Sequence, residues 1–129
     1  MNILIVEDDP TDMKLLSAVL QSGDHRVLEK GSAEQAMEEI KLRHPEVILL
    51  DLQLPGMDGL TLARRLKQDP QTQHIPVIAM TAAREKFGKE EALAAGCDAY
   101  IVKPVNTRKL SEQIVSAVDR GSPSQQRCR

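Results

Sequence analysis

The chain reads as an α/β protein: a doubly wound, five-stranded parallel sheet with five helices, in three α/β/α layers. Three observations predict this. Short, uniformly apolar runs recur along the chain, as in strands buried on both faces. Segments with apolar residues at helical spacing separate them. Gly, Pro, Asp and Ser punctuate the joints. Strands connected by helices in this way lie parallel, with right-handed crossovers. Their carboxyl ends therefore share one edge of the sheet, where α/β proteins bind ligands.

Each element has a local reason. Ile3-Leu4-Ile5-Val6 is the first strand. Asp9-Pro10 then offers an N-cap and a proline at the first helical position. Met13, Leu16 and Leu20 share one face of the first helix. Arg26-Val27-Leu28-Glu29 is a more polar strand and belongs near an edge. Ser32-Ala33-Glu34-Gln35 has capping-box form and opens a second helix carrying Ala33, Ala36, Met37 and Ile40. Val47-Ile48-Leu49-Leu50 is a third strand, ending at Asp51 and the loop Leu54-Pro55-Gly56-Met57-Asp58. Gly59, Leu62, Ala63 and Leu66 mark the third helix. Pro76 to Met80 is the fourth strand, with proline at its boundary. Arg84 to Ala95 is a fourth helix with a poor apolar stripe, closed by Gly96 at C′. Ala99-Tyr100-Ile101-Val102 is the fifth strand, and Leu110, Ile114, Ala117 and Val118 mark the fifth helix.

Composition narrows the function classes. The 129 residues suit one domain, placed at 1–120, with a flexible tail at 121–129 that lacks periodicity. With one Tyr, one Phe and no Trp, the core must be aliphatic. A net charge of −2 argues against a nucleic-acid-binding surface. Cys97 and Cys128 form no metal-ligand pattern; Cys97 reads as a small apolar packer and Cys128 as a free thiol in the tail. No apolar run approaches the ~18 residues needed to span a bilayer. The first residues lack the basic region of a signal peptide, so a cytoplasmic location is the default.

The residues at the strand ends carry the chemistry. Glu7-Asp8-Asp9 follows the first strand, Asp51 the third, Thr81 the fourth and Lys103-Pro104 the fifth. Glu7, Asp8 and Asp51 would crowd negative charge into one crevice, which a hard divalent cation such as Mg²⁺ relieves. Lys103 can pair with Asp51 or with a phosphoryl oxygen, and Thr81 can donate to the same oxygens. An Asp carboxylate can itself accept a phosphoryl group. Each residue has a plainer reading alone. The acidic triplet suits a helix N-terminus, Asp51 a turn, Thr81 a strand, Lys103 the surface and Tyr100 a half-buried strand position. Their convergence on one edge favours the site.

Ile-Val-Glu-Asp-Asp, Leu-Leu-Asp-Leu-Gln-Leu-Pro-Gly-Met-Asp-Gly, Met-Thr-Ala and Lys-Pro occur in that order. With them the chain resembles a response-regulator receiver domain of two-component signalling over about residues 2–119. The resemblance implies a flavodoxin-like sheet of order 2-1-3-4-5. It implies Asp51 as phosphoacceptor, with Thr81 and Lys103 contacting the phosphoryl group. For Mg²⁺ it implies Asp8 as direct ligand, Glu7 acting mainly through water, Asp51, and the backbone carbonyl of Gln53. Thr81 and Tyr100 would be the switch pair, Lys103-Pro104 a cis peptide, and Gln53 and Ala83 positions that tune the dephosphorylation rate. Glu7 stands where Asp is more usual, and Asp9 is assigned to helix capping.

The implied function is a phosphorylation-dependent switch, loaded by a sensor histidine kinase or a histidine phosphotransfer protein. It would signal to a downstream target protein through the face of the fourth helix, fifth strand and fifth helix. It is expected to be no enzyme beyond its own phosphorylation and dephosphorylation, to touch neither nucleic acid nor membrane, and to be a monomer or a phosphorylation-dependent dimer. A receiver module of a larger regulator or hybrid kinase is an alternative. An Asp-nucleophile phosphatase is a second, but Gln53 stands where such an enzyme needs a general acid. A flavin or nucleotide binder is a third, but the first loop is acidic where phosphate needs Gly, Ser or Thr.

Overall fold

The first apolar run forms β1 (Asn2–Val6), followed by β2 (Arg26–Lys30), β3 (Val47–Asp51), β4 (Val77–Thr81) and β5 (Ala99–Val102). In this computed structural model, which describes residues 1–83 and 85–121, the strands are all parallel, in the order β2-β1-β3-β4-β5. The polar β2 takes an edge, as its sequence predicts, while β3 and β4 are buried throughout. Gly121, expected to open the tail, is the last residue of α5; Arg84 and residues 122–129, including Cys128, lie outside the described residues.

Five helices cover the sheet: α1 (Pro10–Ser22), α2 (Ala33–Leu42), α3 (Gly59–Gln68), α4 (Lys89–Ala94) and α5 (Leu110–Gly121). Strand alternation divides the core between the two faces. Leu4, Val6, Ile48 and Leu50 pack with Ala36, Ile40, Leu62 and Ala92 from α2, α3 and α4. Ile3, Ile5, Leu49 and Ile78 pack with Leu16, Leu20, Leu110 and Ile114 from α1 and α5. Each fully buried aliphatic side chain contributes on the order of 1.5–3 kcal/mol. Ile3 to Val6 of β1 and Val47 to Leu50 of β3 are fully buried, and this close packing fixes the positions of the two strands' carboxyl ends.

The helix ends follow the capping signals, with two differences. Asp9 caps α1 by accepting from Thr11 N at 2.9 Å, with Pro10 opening the helix. Ser32 accepts from Gln35 N at 3.1 Å, but Gln35 Oε1 accepts from Gly31 N rather than from the cap residue. The capping box is thus displaced by one residue. The second difference is α4, which starts at Lys89 rather than near Arg84. Residues 85–88 turn instead: Lys86 N and Phe87 N both donate to Ala83 O, which buries the Phe87 ring, and Gly88 caps the helix. At its far end Cys97 N donates to Ala92 O and Gly96 N to Leu93 O. That is a Schellman closure, with Gly96 at φ +101° as the C′ residue.

Candidate functional site

Register brings the acids together. Val6 pairs with Leu50, so the next residues, Glu7 and Asp51, lie side by side at the carboxyl edge, where Asp51 still pairs with Met80 of β4. Asp8 follows at the mouth. Glu7 is 2% and Asp51 4% exposed, whereas Asp8 is open to solvent. Carboxylate oxygens of Glu7, Asp8 and Asp51 lie within 4.8 Å of one another. Backbone donors steady two of them: Gln53 N–H reaches Asp51 Oδ1 at 2.9 Å and Asp9 N–H reaches Glu7 Oε2 at 3.2 Å.

Lys103 compensates this charge. β5 ends beside β4, and Lys103 N donates to Thr81 O at 2.9 Å, just before a cis Lys103–Pro104 bond. The lysine Nζ donates to Glu7 Oε1 at 2.6 Å, to Asp51 Oδ2 at 2.9 Å and to Asp12 Oδ2 at 3.0 Å. Burial alone would lower the lysine pKa, but the hydrogen bonds from Glu7, Asp51 and Asp12 outweigh it and raise it. The ammonium is therefore a permanent charge. Glu7 behaves oppositely: burial first, then the hydrogen bond with Asp51, pushes its pKa from 4.5 up to about 7, and Lys103 offsets only part of this.

The donor set fits a small, hard divalent cation. It offers carboxylate oxygens, a buried acid whose charge is under-compensated, and an open side where water can complete the coordination. Glu7, Asp8 and Asp51 are the residues able to hold it.

The remaining predicted residues are not part of the acidic cluster. Thr81 is fully buried at the end of β4, and its Oγ1 accepts from Ala83 N at 2.9 Å. Ala83 is half-buried and Gln53 exposed. Tyr100 is half-buried on β5, its hydroxyl donating to Phe87 O at 2.6 Å. Asp12 is the site residue that reasoning from strand ends misses. It lies in the first turn of α1, four residues after Asp8. The available signal was its helical spacing: the first turn after a strand starts at the same sheet edge as the strand's end.

Among the described residues no helix is long and apolar enough to cross a membrane. The family model for the response regulator receiver domain matches residues 3–115. The chain is 36% identical over 115 residues to the polar-differentiation response regulator DivK of Brucella ovis, covering 89% of this chain and 94% of that protein. It is 39% identical over 121 residues to the phosphate regulon transcriptional regulatory protein PhoB of Pseudomonas aeruginosa, covering 94% of this chain but 53% of PhoB. Its fold matches the receiver domain of the sensor histidine kinase PA1611 from Pseudomonas aeruginosa with a TM-score of 0.82 and 29% identity, over 90% of this chain and 95% of that one. That crystal structure has a magnesium ion coordinated in the active site cleft.

Proposed function

The chain belongs to the response regulator receiver family, and on that premise we propose that it is a switch loaded by phosphorylation of Asp51. The donor would be a phosphohistidine on a histidine kinase or phosphotransfer protein. The observation that carries this reading is the 2.9 Å contact between Lys103 Nζ and Asp51 Oδ2 inside a crevice of three acids. It provides a nucleophilic oxygen, a fixed cation for the phosphoryl oxygens and a place for a divalent metal.

In the transfer, a carboxylate oxygen of Asp51 attacks phosphorus in line. The O–P bond forms, the P–N bond breaks, and the imidazole nitrogen keeps the electron pair. Glu7, Asp8, Asp51 and the Gln53 carbonyl would hold Mg²⁺, which when bound supplies charge neutralisation to the transferring group. Lys103 turns its ammonium to the phosphoryl oxygens, and the Thr81 hydroxyl exchanges its Ala83 contact for one of them. Gln53 and Ala83, beside Asp51 and Thr81, would govern the access of water to the acyl phosphate.

Rotation of Thr81 vacates space that Tyr100 can enter on leaving Phe87 O. The equilibrium then shifts toward a conformation with a changed α4–β5–α5 face. That face carries exposed Leu93, Val102 and Val115 and a groove of about 550 Å³ lined by Lys89, Tyr100, Glu112 and Gln113. These features suit a protein partner, either a downstream target or a second phosphorylated copy. A cytoplasmic location accords with this partner set.

The test is incubation with Mg²⁺ and acetyl phosphate, read by intact-protein mass. One phosphoryl adduct is expected on the wild type and none on Asp51→Asn. An adduct that survives this substitution, or none on either protein, overturns the reading. Steady turnover of small phosphomonoesters would favour the phosphatase alternative instead.

A further inference from the structure

An ammonium group has three N–H donors. Those of Lys103 are all committed within the crevice, to Glu7, Asp51 and Asp12. Any new acceptor on Asp51 must displace one of them. The three are not equivalent. Glu7 and Asp51 belong to the candidate cation cluster, and Asp12 does not. The Glu7 side chain is fully buried and Asp51 nearly so, whereas the Asp12 side chain is 38% exposed. Asp12 also stands on α1, outside the sheet that fixes the other two. It is the partner whose release leaves no buried charge, because water can take up its hydrogen bond.

We infer that Asp12 is a positioning residue that holds the Lys103 ammonium in the unloaded protein and competes for it with a phosphoryl group on Asp51. This rests on the phosphoacceptor reading and deepens it. Asp12 lowers the affinity of the site for the phosphoryl group, because part of the lysine's attraction is spent on a neighbouring carboxylate until the exchange occurs. Neutralising Asp12 leaves Lys103 paired with two carboxylates and with one N–H no longer held by a negative charge.

The experiment compares wild type, Asp12→Asn, Asp12→Ser and Asp12→Glu, with beryllofluoride plus Mg²⁺ as the phosphoryl mimic. The affinity for beryllofluoride is expected to rise about two- to fivefold in both neutral variants, the size of a partly exposed ion pair. It should return toward wild type in Asp12→Glu, which keeps the carboxylate. The side-chain ammonium resonance of Lys103 supplies a second readout that a purely structural role would not move. It should differ between wild type and Asp12→Asn without ligand, and coincide once both are loaded. Unchanged or weaker beryllofluoride binding in the neutral variants, or identical Lys103 resonances without ligand, overturns the inference and leaves the switch reading standing. Absence of an Asp51-dependent adduct in the wild type sinks the switch reading, and this inference with it.

Discussion

Gly59 lies directly against the backbone of Asp51. A Cβ at position 59 would sit 2.6 Å from the Asp51 carbonyl oxygen and 2.7 Å from Leu52 Cα. Gly59 N also donates to Leu52 O at 3.0 Å. The start of α3 is thereby pinned onto the end of β3, and it fixes where the site carboxylate emerges. Both contacts are to backbone, so no side-chain rotation relieves them. Gly59→Ala should therefore cost on the order of 1–3 kcal/mol in overpacking strain. It should also weaken Mg²⁺ binding, because relief requires β3 or α3 to move. Urea denaturation and a Mg²⁺ titration check this; wild-type values in both would refute it.

Lys67 joins three segments away from the site. Its Nζ donates to Ile75 O at 2.7 Å, to Gln73 O at 3.2 Å and to Asp98 Oδ2 at 3.1 Å. Asp98 Oδ2 in turn accepts from Val77 N at 2.8 Å, at the start of β4. The ammonium thus ties the loop after α3 to the turn between α4 and β5. Lys67→Met keeps most of the aliphatic stem, which lies over Gly96, and removes the charge. The expected loss is about 1–3 kcal/mol, because a part-buried carboxylate and two carbonyls lose a charged donor. Beryllofluoride affinity should stay near wild type, since none of these groups borders the acidic crevice. A variant as stable as wild type in chemical denaturation would show that water replaces the ammonium without cost.

The sheet and most of the crevice were legible because strand ends are set by short-range pattern. Once Val6 and Leu50 are read as strand residues in a parallel sheet, Glu7 and Asp51 must emerge on the same edge. The hydrophobic periods of α1, α3 and α5 fix their faces in the same way. The unread features depend on contacts remote in sequence or on competition between local signals. The Asp12–Lys103 contact spans 91 residues and joins a helix to a loop; helical spacing puts Asp12 at the right edge of the sheet but does not name its partner. The start of α4 was misread because the residues after Ala83 have acceptable helix propensity. Burial of Phe87 and two hydrogen bonds to Ala83 O favour a turn there instead. The Lys67 contacts have no sequence signal, because two of its three acceptors are backbone carbonyls, which carry no residue-type information.

Cys97 is buried in the core beside α4. Burial first, then the negative charge of Asp98, pushes its thiol pKa from 9.0 up to about 12. The thiolate is the reactive form, so Cys97 should resist thiol reagents at pH 8 in the native state. In a Cys128→Ser background, no labelling by a thiol-reactive dye is expected until denaturant is added, and then one equivalent. The raised pKa also means that this group favours the fold fully below pH 9 and loses its contribution as pH rises toward 12. Fast native labelling at pH 8 would contradict the buried placement.

Glu7 sets a pH dependence that Mg²⁺ should reverse. Its folded pKa of about 7 lies above the ordinary 4.5, because burial and the neighbouring Asp51 disfavour a second negative charge. Between these values the native protein holds a proton that the unfolded chain has released. The contribution to stability is therefore complete below about pH 4.5 and is lost as pH rises through about 7. Mg²⁺ must expel that proton to use the carboxylate, so metal binding and proton release are linked. Apparent Mg²⁺ affinity should climb by up to about tenfold per pH unit below 7 and level off above it. Calorimetric titrations at pH 5.5, 6.5 and 7.5 in buffers of different ionisation enthalpy would report both affinity and protons released. Glu7→Gln, which lacks the ionisable group, should flatten the profile. A wild-type affinity independent of pH across this range would mean that Glu7 is already ionised in the metal-free crevice, with Lys103 compensating it in full.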